Sequence, residues 1–127
     1  MRHARHYTLD EARDLREWVG ARVDEAREAL EALSRVEVRQ ALRAVEVDSG
    51  GGWPGRDGAT ATLGLQRAVA ELQGADIVVR DLIRGLVDFP AVRDGEEIYL
   101  CWIVDEPEIE HWHELDAGFA GRRRLPR

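Results

Sequence analysis

Glu97-Ile98-Tyr99-Leu100-Cys101-Trp102-Ile103-Val104 is apolar at every position after its first. In an extended chain Ile98, Leu100 and Trp102 point one way and Tyr99, Cys101 and Ile103 the other. The stretch therefore predicts a strand over about 97–104 that is covered on both faces and central in its sheet. Just before it, Asp94 and Gly95 are the residues of a tight hairpin turn. Upstream of that turn, Leu86 to Phe89 read as a second strand ended by Pro90, and the β-branched run Ile77, Val78, Val79 marks a third over about 76–80.

Before Gly74 the period is that of a helix. Thr8 is a capping residue with Glu11 three positions on as its capping-box partner, and Asp10 suits the positive helix end. From there Ala12, Leu15, Val19, Val23, Ala26, Leu30 and Leu33 recur at spacings of three and four, predicting one long helix over about 9–47. Gly20 weakens that helix by about 1 kcal/mol without ending it. The glycine- and proline-rich run Asp48 to Gly58 reads as a loop. A second helix follows over about 59–73, with Ala61, Leu65, Ala68, Val69 and Leu72 on one face and Gly74 as its cap. Helices first and strands afterwards predict an α+β fold. Its expected form is a long antiparallel helical hairpin, then a small three-stranded antiparallel sheet, then an irregular C-terminal segment, all in one domain.

Composition narrows the function. The chain of 127 residues is 44% hydrophobic and 34% charged, the balance of a folded domain with a heavily charged surface. No apolar run is long enough for a membrane span, and Met1 to His6 leads into a charged amphipathic segment, which predicts a cytoplasmic protein. A net charge of −7 disfavours a nucleic-acid coat. All 18 basic residues are arginine, so Schiff-base lysine chemistry and a Walker-type phosphate loop are excluded. The single cysteine, Cys101, cannot form an internal disulfide, and its setting between apolar neighbours reads as a core thiol rather than a nucleophile.

The unusual chemistry gathers near the C-terminus. Glu106, Glu108, Glu110, His111, His113, Glu114 and Asp116 surround Trp112. Imidazole and carboxylate together suit zinc or manganese, and His111, His113 and Glu106 are the candidate ligands. The two histidines share a face only if the segment is extended. Gly118-Phe119-Ala120-Gly121-Arg122 delivers an arginine from a glycine pair, as in sites for a small anion. Asp88, between two apolar strand residues, needs a partner, and Arg84 is the candidate. Arg84, Asp88, Glu106, His113 and Arg122 thus form a candidate polar cluster.

Three blocks resemble a known family. They are His6-Tyr7-Thr8-Leu9-Asp10-Glu11-Ala12; Arg84-Gly85-Leu86-Val87-Asp88-Phe89-Pro90; and Tyr99-Leu100-Cys101-Trp102 followed by Glu106, Ile109, Trp112, His113 and Gly118 to Arg122. Together they resemble the bacterial family called domain of unknown function 2203 over most of the chain outside the glycine run, which is longer and richer in glycine than the family leads one to expect. The resemblance implies a cytoplasmic bacterial protein and carries no mechanism. Two functional readings follow from the residues. The first is a homo-oligomeric or partner-binding module whose interface is the first helix. The second is a metal-dependent enzyme or small-anion-binding protein using the C-terminal His/Glu/Arg cluster.

Overall fold

The computed structural model describes residues 1–45 and 55–126, and at 44, 45, 55 and 56 the backbone alone. Helix α1 spans Leu9–Asp14, α2 Arg16–Val45 and α3 Gly55–Gly74; strands β1 to β5 span Val78–Asp81, Leu86–Arg93, Glu96–Ile103, His111–Glu114 and Arg123–Arg124. The fold is α+β, with an antiparallel sheet in the order β1-β2-β3-β4-β5. No helix among the described residues is long and apolar enough to cross a membrane.

The capping box forms as its residues dictate: Thr8 Oγ1 accepts from the Glu11 N–H at 3.1 Å, and Glu11 Oε1 accepts from the Thr8 N–H at 2.9 Å. The expected single helix is instead divided at Leu15. Its N–H is shared between the carbonyls of Glu11 and Ala12, both at 3.2 Å, a local 3-10 tightening that separates α1 from α2. Helix α3 starts at Gly55, inside the expected loop, and Asp57 in its first turn favours the positive helix end. The remainder of that loop lies outside the described residues, as does the expected end of the first helix past Val45. Helices α2 and α3 run antiparallel, since Arg22 meets Glu71, Ala29 lies nearest Gly64 and Val36 nearest Gly58.

The sheet has five strands rather than three. Pro90 does not end β2, which runs on to Arg93. The reason is its side of the strand: Pro90 C=O accepts from the Tyr7 N–H at 2.7 Å, so the position without a donor also faces away from β3, beyond the reach of β1. Asp94 and Gly95, with φ of 51° and 80°, close the β2–β3 hairpin in the left-handed conformation that such two-residue turns require. His111–Glu114 pairs with β3 and Arg123–Arg124 with β4, so the C-terminal segment expected to be irregular supplies two further strands.

The two faces of the sheet differ in character. Val87, Phe89, Ala91, Ile98, Leu100 and Trp102 turn towards the helices and join Val19, Val23 and Leu72 in the core. On the other face stand Asp88, Tyr99, Cys101, His111 and His113, crossed by the N-terminal segment, where His3 Nε2 lies 2.6 Å from Tyr99 Oη.

Candidate functional site

Register brings the polar residues of this second face together. Asp88, Cys101 and His111 stand opposite one another across β2, β3 and β4, and Tyr99 stands opposite His113. Alternation gives all five the same side. The extended form of His111–Glu114 is therefore what places both histidines on one face.

At the centre is Asp88, fully buried, whose Oδ2 lies 3.0 Å from His113 Nε2 and accepts from Arg80 Nε at 2.8 Å. Asp88 thus finds the partner a buried carboxylate needs, but the partner is Arg80 and not Arg84. A register shift between Val79 and Asp81 accompanies this placement of Arg80 beside Asp88. Arg84 sits in the following turn, where its N–H donates to Asp81 Oδ1 at 3.1 Å and its guanidinium lies 4.7 Å from the Phe119 ring centroid. His113 is 2% exposed, and its Nδ1 lies 2.7 Å from the Glu114 carbonyl oxygen.

A second polar group adjoins the first. Glu106 Oε1 accepts from the Ile103 N–H at 2.9 Å and from the Arg122 guanidinium. Its Oε2 lies 4.0 Å from His111 Nδ1. Partial burial pushes the Glu106 carboxyl up, but Arg122 and the Ile103 N–H outweigh it and hold the group below the ordinary carboxylate range. Arg122 also lies over Phe119, 5.2 Å from the ring centroid, so the ring carries two guanidinium groups. The Arg122 side chain expected to meet a small anion is occupied by Glu106.

The structure thus joins Asp88 to His113 and Glu106 to Arg122 and His111. The proposed ligand set of His111, His113 and Glu106 is not gathered, because both ring nitrogens of His113 turn away from it, to Asp88 and to the Glu114 carbonyl, while Glu106 Oε1 is held by Arg122 and the β3 backbone. Among the described residues, the side chains whose ligand atoms do converge are Asp88, Cys101 and His113, all within 4.8 Å of one another. Cys101 is fully buried, and burial, followed by the charge of Asp88, pushes its thiol up to about 12. All three side chains are too enclosed to reach a substrate directly.

Arg80, Tyr99 and Cys101 were not candidate site residues in the sequence. The usable signal was parity: once β3 is central, Tyr99 and Cys101 share a side with whichever of Asp88 and His113 align with them, but the register that aligns them is a long-range property.

No curated protein and no solved structure matches this chain. The model of one family, described as uncharacterized conserved protein (DUF2203), matches residues 5–125, and the chain belongs to that family.

Proposed function

We propose that this chain is a cytoplasmic, non-enzymatic binding module that associates with a second copy of itself through the outer face of α2. The observation that carries the reading is a stripe of α2 at spacings of four, Leu30, Ser34, Val38 and Leu42, in which Val38 and Leu42 remain 57% and 63% exposed. Ile83, 76% exposed, borders the same groove beside Leu30 and Ser34. The inner face of α2 is already used: Val19, Val23, Ala26 and Val36 are buried. A helix with a second apolar stripe is served by a second partner.

Charge along α2 favours another copy as that partner. Glu25, Glu28 and Glu31 precede Arg35, Arg39 and Arg43 along it, with Arg27 and Glu37 interleaved. Two copies crossing antiparallel place the glutamate stretch of each against the arginine stretch of the other, with the Leu30 to Leu42 stripes between them. This is the self-complementary arrangement a two-fold interface requires. At 30 residues α2 is about 45 Å long, against about 27 Å for an eight-residue strand, so the helix has length to spare beyond its own sheet.

Sedimentation equilibrium over a wide concentration range tests the reading. The expected mass is twice the 14.3 kDa of the chain. A Val38→Glu, Leu42→Glu double variant is expected to sediment as a monomer with an unchanged circular dichroism spectrum. A wild-type protein that stays monomeric at all concentrations removes the proposal.

A further inference from the structure

The buried trio on the far side of the sheet has a different use. We infer that Asp88, Cys101 and His113 form a site for one divalent transition-metal ion of the zinc class. They offer an oxygen, a sulfur and a nitrogen from three adjacent strands, with all three ligand atoms within 4.8 Å of one another. Zinc takes this mixture, at bond lengths of about 2.0–2.3 Å, and leaves a fourth position for water or another donor. Such bonds set tetrahedral ligand separations of about 3.5 Å, so side-chain adjustments of about an ångström close the site.

Hydrogen positions supply the first independent argument. The Glu114 carbonyl can only accept, so the 2.7 Å contact from His113 Nδ1 places a hydrogen on Nδ1. In the neutral ring Nε2 is then a lone pair, and it faces Asp88 Oδ2, another acceptor, at 3.0 Å. Two lone pairs do not face each other at that distance, so a proton, carried by the ring or by the carboxyl, or a metal ion lies between them. Histidine ligands to metals characteristically have the opposite nitrogen fixed by a carbonyl, as Nδ1 is here.

The second argument separates the two cations. A proton on Nε2 satisfies Asp88 Oδ2 but leaves Oδ1 buried without a hydrogen-bond partner, a costly condition for a carboxylate oxygen. A dication between the three side chains takes Oδ1 as a ligand, while Arg80 continues to hold Oδ2. Binding converts Cys101 to the thiolate, and its proton leaves to solvent. Arg122 stands near enough to favour that thiolate, and its buried Nε has no other hydrogen-bond partner.

The test uses the full chain, purified without a metal-affinity tag, stripped with a chelator and titrated with cobalt(II) as the probe. The expected result is one cobalt per chain, with intense tetrahedral d–d bands and a thiolate-to-cobalt charge-transfer band, both displaced by zinc. Cys101→Ser is expected to abolish the charge-transfer band. Asp88→Asn and His113→Gln are expected to weaken binding by at least about 100-fold, since even outer contacts to metal ligands are worth about 10–100-fold. His111→Gln is expected to bind as the wild type does. The wild-type spectrum needs no variant to fold: absence of a charge-transfer band, or uptake lost in His111→Gln, overturns the inference.

Discussion

Glu97 gathers the N-terminal segment onto the sheet. Its carboxylate accepts from the backbone N–H of Arg2 at 2.6 Å and of His3 at 2.9 Å, and its Oε2 lies 2.6 Å from His6 Nε2. Burial alone pushes this carboxyl up, but the His3 N–H, the His6 ring and the Arg2 N–H outweigh it and bring the group down to about 2 from an ordinary 4.5. A carboxyl with a lower value folded than unfolded stabilises the fold above the unfolded value, and that stability is lost as pH falls towards the folded one. Wild-type stability is therefore expected to drop between pH about 4.5 and about 2 more steeply than that of Glu97→Gln, with the gap between them closing near the lower limit. Urea unfolding at stepped pH measures this, and parallel curves for the two proteins contradict it. None of this was visible in the sequence, because Glu97 meets residues more than ninety positions away. Asp88 was legible as a residue in need of a partner, since a carboxylate flanked by Val87 and Phe89 is costly alone. Which arginine answers it depended on the register shift in β1 and could not be counted from spacing.

Elements whose signals are local were the ones that could be read. Thr8 and Glu11 close a capping box across three residues, and Asp94-Gly95 sets its turn by its own φ values. Pro90 misled because its missing donor was weighed without knowing which side of β2 is paired. His111–Glu114 was ambiguous because Trp112 is the one strand former among its four residues, and pairing with β3 is what makes them extended. The β1–β2 turn contains a second constraint of the local kind. Gly85 has φ of 71°, and a Cβ there would lie 2.5 Å from Arg27 Nη2 and 3.3 Å from Val104 Cβ. Gly95 has φ of 80° but no atom within 4 Å of such a Cβ. Gly95→Ala therefore bears the left-handed cost alone, about 1 kcal/mol. Gly85→Ala also displaces the Arg27 side chain, whose Nε donates to the Leu82 carbonyl at 3.1 Å, for about 2 kcal/mol or more in all. Chemical unfolding of the two variants gives the order, and equal losses argue against the Arg27 contact as a constraint.

At the scale of the whole molecule, the sheet divides two kinds of burial. Its helix side is closed by hydrocarbon, while its far side buries Asp88 and His113 and is crossed by the N-terminal segment. Among the exposed apolar side chains of the described residues, Val38 and Leu42 share the outside of α2, away from both. If that surface is where two copies meet, folding and association are linked, and the thermal midpoint must depend on protein concentration. The midpoint of the wild type is expected to rise as the protein is concentrated, and that of Val38→Glu, Leu42→Glu to stay constant. At low concentration the two should converge, because the substituted side chains are exposed in the single copy and surface changes of this kind alter stability by about 0.5 kcal/mol or less. Differential scanning calorimetry across a dilution series reads both effects. A double variant that is equally destabilised at every concentration would instead assign Val38 and Leu42 to the packing of the single chain.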